Sequence, residues 1–158
     1  MCMATGQNSI VSEAVTKFGS ARENLLPVLQ YLTARERWLS EKTIVDVARA
    51  FDLSTAEVYG VASFYTFLDT TPRGKYVIRV CRTISCDMKN KEALVDAIGN
   101  ALKIKPGETT ADNLFSLLET NCMGWCHKGP AMLVNDDVHT EVTPEKAVEI
   151  INSYRAKG

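Results

Sequence analysis

The apolar positions of the first seventy residues recur every three to four residues, the period of a helix that buries one face. Ile10, Ala14, Val15 and Phe18 share one such face. Leu25, Leu26, Val28, Leu29 and Leu32 form a second stripe. Pro27 suits this stripe only in a first helical turn, where a missing N–H costs no hydrogen bond. A third stripe carries Ile44, Val47, Ala48 and Phe51, with Thr43 as its expected N-cap. Ser54-Thr55-Ala56-Glu57 then has capping-box spacing, in which the serine side chain and the glutamate side chain satisfy each other's backbone N–H. The helix it predicts carries Val58, Val61, Ala62 and Tyr65. No strand pattern interrupts this region.

The period changes behind Thr70-Thr71-Pro72-Arg73-Gly74, which reads as a turn or linker. Lys75 to Val80 alternates and is rich in β-branched residues, which predicts a strand ending at Cys81. A helix is expected over about 90–102, with Leu94, Val95, Ile98, Ala101 and Leu102 inward, before Pro106-Gly107 breaks the chain. A strand over 114–119 follows, and then 131–134 and 138–142 form a hairpin around Asn135-Asp136-Asp137. Thr143-Pro144-Glu145 opens a final helix: threonine caps, proline takes the first position, and glutamate favours the positive end of the helix. Its buried stripe is Ala147, Val148, Ile150, Ile151 and Tyr154. The expected fold class is therefore α+β, with a helical region over 1–72 and a domain over 73–158 that packs helices against a sheet.

Composition narrows the function classes. The chain has 158 residues, 46% of them hydrophobic and 23% charged, which is enough to bury a real core. With 18 basic and 19 acidic residues the net charge is −1, which argues against nucleic acid or an anionic membrane as a partner. No apolar run is long enough to span a bilayer, and MCMATGQNSI has neither the basic nor the apolar region of a signal peptide. The expected location is the cytoplasm. Thiols stay reduced there, so clustered cysteines point to metal binding or catalysis before disulfides.

Four of the five cysteines form two pairs. Cys81 and Cys86 enclose Arg-Thr-Ile-Ser, and Cys122 and Cys126 enclose Met-Gly-Trp; Cys2 stands apart as a bystander. Each pair lies in a loop at or near the end of an expected strand, so the loops can meet on one edge of the sheet. Four converging thiolates hold either tetrahedral zinc or an iron–sulfur cluster. Structural zinc favours close spacings, whereas wide spacing in both pairs suits a cluster whose two irons are each held by two thiolates. Gly124 lets backbone N–H groups turn toward sulfur, which tunes a cluster's potential. Trp125 is a candidate shield from water. Zinc, unrelated buried thiols and a disulfide remain as rival readings. A thiol–disulfide enzyme would use Cys-x-x-Cys, which is absent here.

The spacing Cys-x4-Cys, a gap, then Cys-x3-Cys before Gly-Pro resembles the thioredoxin-like [2Fe-2S] ferredoxin family. Members include small subunits of respiratory NADH dehydrogenase, of NAD(P)-linked and electron-bifurcating hydrogenases, and of formate dehydrogenases. VYGVASFYTFLDTTPRGKYVIRVC, Val58 to Cys81, is similar to the family's segment leading into the first strand, and GETTADNLFSL, Gly107 to Leu117, is similar to a second family stretch. The resemblance implies Cys81, Cys86, Cys122 and Cys126 as ligands of one [2Fe-2S] cluster. It also implies electron transfer without a substrate site on this chain, and a larger flavoprotein partner that binds FMN and NAD(H) and docks in part on the helical region. The alternative is a zinc-stabilised scaffolding module without redox activity.

Two positions depart from the family. Asp112-Asn113 replaces Asp-Gly, and asparagine is the next best residue in a left-handed turn. His127-Lys128 places cationic side chains after the last ligand, where positive charge favours the reduced, more anionic cluster and so raises its potential. Elsewhere, His127 is expected beside the cluster rather than on iron. His139, Arg79 and Arg82 are expected at the surface. Tyr59, Phe64, Tyr65 and Phe67 either form an interface or pack on their own domain. No glycine-rich phosphate loop places a nucleotide on the chain.

Overall fold

The computed structural model describes residues 9–157. Cys2 lies outside them. The chain divides into two compact units, with the boundary between Pro72 and Arg73.

The first unit is helical: α1 (Ser9–Phe18), a 3-10 turn (Arg22–Asn24), α2 (Leu25–Glu36), α3 (Glu41–Ala50) and α4 (Thr55–Phe64). The expected stripes meet in one core, in which Ala14, Val28, Leu29, Leu32, Val47, Val58 and Ala62 are fully enclosed. Pro27 falls in the first turn of α2. Ser54 and Glu57 form the capping box: Glu57 N–H donates to Ser54 Oγ at 3.2 Å, and Ser54 N–H donates to Glu57 Oε2 at 3.1 Å. One expectation is corrected. The N-cap of α3 is Ser40, whose Oγ accepts the N–H of Thr43 at 3.1 Å. Thr43 is the third helical residue, and it is buried with its hydroxyl donating to Glu36 Oε2 at 2.9 Å. A serine three residues ahead competes for the same cap, and tertiary contact decides between the two hydroxyls.

The second unit holds β1 (Tyr76–Cys81), α5 (Ile84–Asp87), α6 (Lys91–Leu102), β2 (Phe115–Thr120), β3 (Met132–Val134), β4 (Asp137–His139) and α7 (Pro144–Arg155). The four strands form one mixed sheet in the order β2-β1-β3-β4. β1 runs parallel to β2 and antiparallel to β3, and β3 and β4 form the expected hairpin. Parallel neighbours need a crossover, and α6 supplies it. Ile78, Val80, Phe115, Leu117, Met132 and Val134 face Leu94 and Ile98 of α6 and Ala147 and Ile151 of α7 across one core. Thr143 caps α7 with Pro144 at its start, as expected.

The turn before β2 keeps its left-handed residue: Asn113 has φ 54°, its N–H reaches Thr110 O at 2.8 Å, and its carbonyl accepts from Lys75 N at 2.9 Å. Arg79 departs from the expected surface position. It is only 6% exposed, on the inner strand β1, which has a strand on each side of it in the sheet. Arg82, one residue past the strand, is exposed as expected.

Candidate cluster site

Cys81 is the last residue of β1, and it pairs in register with Thr120, the last residue of β2. Because the two strands are parallel, both chains leave the sheet at the same edge. The first loop turns into α5, which carries Cys86. The second runs through Cys122 and Gly124 into a 3-10 turn, Cys126–Lys128. Loops at the carboxyl ends of parallel strands are the usual place for a ligand in an open sheet. The topology thus gathers thiols that lie some forty residues apart in sequence.

The two pairs differ in environment. Cys81 and Cys86 are 2% and 1% exposed, whereas Cys122 and Cys126 face solvent. Cys122 Sγ and Cys126 Sγ are 3.1 Å apart, and none of the four is in a disulfide. Gly124, at φ 87°, turns its N–H to Cys122 Sγ at 3.4 Å, the geometry expected of a residue free of a Cβ.

The surroundings of the thiols place them in one locality. Burial pushes the Cys81 thiol up, but contacts from the Thr83 hydroxyl and backbone, the Cys86 thiol and the Met123 backbone outweigh it, and it lies below its ordinary value. The Thr83 hydroxyl is 3.0 Å from Cys81 Sγ. Burial holds the Cys86 thiol above its ordinary value, opposed by the Ala131 backbone and reinforced by Cys81. Cys126 is raised first by its contact with Cys122, then by burial and by the charges of Cys122, Cys81 and Cys86. Cys126 therefore senses the charges of both thiols of the other pair. Ionising all four thiols in so small a volume is unfavourable unless cations are placed among them, and this donor set fits a soft, multiply charged metal group. Among the described residues, no three His, Cys, Asp or Glu side chains are gathered as the shell of a single metal ion. The sulfurs stand as two pairs, Cys81 with Cys86 and Cys122 with Cys126.

Several neighbours escaped the sequence reading. Thr83 is one. Gly129 is another: a Cβ there would lie 3.2 Å from Cys86 Sγ, so the glycine clears room for a thiol from the other loop. Lys89 is a third, with Nζ 3.4 Å from both the Cys126 and His127 carbonyls. A hydroxyl two residues after Cys81 and a glycine before Pro130 were the only local signals for the first two. Nothing local marked Lys89. Arg82 Nε donates to Asn121 Oδ1 at 3.1 Å, also bridging the two loops.

Other expectations change. Trp125 is itself open to solvent and stacks on His127, with ring centroids 5.9 Å apart. His127 and Lys128 are exposed in the 3-10 turn. His139 is half-buried rather than at the surface. Its Nε2 is enclosed without a hydrogen-bond partner, and burial pushes the imidazole below its usual range. Tyr59, Phe64, Tyr65 and Phe67 are all exposed, which removes the reading that they pack on their own domain; Val58 and Ala62 fill that role in α4. No helix among the described residues is long and apolar enough to cross a membrane.

Comparison with known proteins agrees with this geometry. The sequence profile of the family described as thioredoxin-like [2Fe-2S] ferredoxin matches residues 2–155. NADH-quinone oxidoreductase subunit 2 of Thermus thermophilus is 37% identical over 130 residues, spanning 82% of this chain and 72% of that protein. An NADH-quinone oxidoreductase subunit of Escherichia coli is 29% identical over 153 residues, spanning 97% of this chain and 92% of that protein. Among solved structures, a chain of an NAD+-reducing [NiFe]-hydrogenase in the air-oxidised state superposes with a TM-score of 0.73 at 27% identity. That match covers 85% of this chain but only 23% of the hydrogenase chain, so the present protein corresponds to a fraction of that chain. The relatives are thus parts of NAD-linked oxidoreductases, the family's cofactor is a [2Fe-2S] cluster, and the chain belongs to the thioredoxin-like [2Fe-2S] ferredoxin family.

Proposed function

We propose that this chain is a one-electron carrier, a non-catalytic subunit of an NAD(P)-linked oxidoreductase complex in the cytoplasm, with one [2Fe-2S] cluster held by Cys81, Cys86, Cys122 and Cys126. The observation that carries this reading is the meeting of two thiol pairs at the carboxyl edge of β1 and β2. When bound, the cluster supplies a site that accepts and returns single electrons. The protein's own residues do the rest. The buried Cys81–Cys86 pair anchors one half of the site against the sheet. Thr83 and Gly124 offer hydrogen bonds to sulfur, which stabilise electron-rich thiolates and set the potential. The open Cys122–Cys126 side leaves a short path to a partner.

That partner, in this proposal, is a flavin-containing subunit that binds FMN and NAD(H) and exchanges electrons with this chain. The names of the relatives support it, since each belongs to an NAD-linked assembly. The exposed aromatic set of the helical unit, with Phe64 76% exposed, offers a surface for such a subunit. Hydrogenase, formate dehydrogenase and NADH dehydrogenase are the candidate parent complexes.

Anaerobically purified protein should contain about two irons and two acid-labile sulfides per chain, as this cluster type requires. Its visible absorbance should bleach on reduction. Cys122→Ser should lose or grossly alter the spectrum, while Cys2→Ser should keep it. One equivalent of zinc without sulfide would overturn the proposal in favour of the scaffolding module. Affinity capture from the native host under anaerobic conditions should bring down a flavoprotein.

A further inference from the structure

Lys89 lies just past α5, on the loop that carries Cys86. Its ammonium reaches across to the second loop, where it stands 3.4 Å from the Cys126 carbonyl and 3.4 Å from the His127 carbonyl. The stem of the side chain passes beside Gly129, at which a Cβ would meet Lys89 Cδ at 3.5 Å and Cys86 Sγ at 3.2 Å. One lysine therefore touches the segment behind each thiol pair. Among the described residues its hydrogen-bond partners are neutral carbonyls rather than carboxylates. The nearest acid on its own loop, Asp87, faces Lys91 at 3.8 Å, and Lys91 also meets Glu119 at 3.0 Å.

We propose that Lys89 is a positioning residue of the cluster site, tying the Cys86 loop to the Cys126 loop and holding a cation beside the thiolates. This rests on the cluster reading above. Two consequences separate the roles. As a tether, Lys89 keeps the two pairs at a fixed separation and slows the opening through which iron is lost. As a cation, it favours the cluster state that carries the extra electron, and so raises the midpoint potential. Lys89 is exposed, so both effects are modest, and the second is screened by salt.

The test compares wild type, Lys89→Met and Lys89→Arg as full-length anaerobic proteins. Methionine keeps an apolar stem and removes both the donors and the charge, whereas arginine keeps both. Potentials are read by EPR-monitored redox titration at low and high ionic strength. Iron release to bathophenanthroline disulfonate gives the loss rate, and circular dichroism checks the fold. Lys89→Met should have a lower potential than wild type, with a gap that narrows as salt rises. It should lose iron roughly two- to fivefold faster, the scale of one exposed charged contact. Lys89→Arg should return both values toward wild type. An unchanged potential and loss rate in Lys89→Met would overturn the proposal, as would arginine behaving like methionine. Wild-type protein without iron and sulfide would sink the cluster reading itself, and this inference with it.

Discussion

At the residue scale, glycine matters here for space more than for backbone freedom. Gly129 is buried and close to Cys86, and an alanine methyl 3.2 Å from Sγ is tighter than ordinary contact. The thiol must yield by a few tenths of an ångström or the loop must shift. Gly129→Ala should therefore assemble a cluster with an altered visible circular dichroism spectrum and EPR line shape, and with faster iron loss than wild type. Spectra identical to wild type would show that the loop absorbs the methyl freely. Gly124 differs, since the space around it is open and its φ of 87° is what alanine would resist. The two glycines of the second loop thus protect different quantities, a contact distance and a dihedral angle.

At the element scale, the site depends on the parallel pairing of β1 with β2, and that pairing is set where the strands begin. Gly74 precedes β1, with its N–H donating to the buried Ser116 Oγ at 2.8 Å. A Cβ on Gly74 would come within 2.8 Å of the Phe115 carbonyl carbon and 2.9 Å of the Phe115 nitrogen. Those atoms belong to backbone and cannot rotate away. Gly74→Ala should cost about 1–3 kcal/mol, the range for strain in a packed core. Urea unfolding should report it as a lower midpoint with an unchanged slope. Molecules that remain folded should keep a normal cluster spectrum, since the thiols sit at the opposite end of the strands. A loss below about 0.5 kcal/mol would mean that the strand entrance tolerates separation.

At the scale of the whole molecule, Tyr154 joins the last helix to the sheet of the second unit. Its hydroxyl donates to Asp137 Oδ2 at 2.5 Å, and its ring lies 5.0 Å from Tyr76 of β1 and 6.3 Å from His139 of β4. Burial, and then the Asp137 carboxylate, push its phenol up to about 12. An unfolded tyrosine titrates near ~10. The native state therefore holds a proton that the unfolded chain releases first. The stability this contributes is complete below pH ~10 and falls as pH rises from ~10 to ~12, on the order of 2 kcal/mol in all. Tyr154→Phe should lose about 1 kcal/mol at neutral pH through the missing hydrogen bond. Its alkaline decline over that window should be shallower than wild type. Parallel curves for the two proteins would show that Tyr154 is not the titrating group.

Helix faces, the Ser54–Glu57 box, the Thr143–Pro144 start of α7 and the left-handed Asn113 were legible in the sequence, because each depends on neighbours three or four residues away. The four thiols were legible as two pairs for the same reason. Contacts across the fold were not. Arg79 is buried on a strand that became an inner one, and a strand's place in its sheet is not written in its own alternation. His139 is half-enclosed because Tyr154, fifteen residues on, folds back over it. Ser40 rather than Thr43 caps α3, since Glu36 engages the threonine hydroxyl. Lys89 and Gly129 became part of the site only when parallel strands brought two loops to one edge. Spacing along the chain determined which atoms are available as ligands. Pairing between distant strands decided which side chains stand beside them, because that depends on strand order and register, quantities that no local window contains.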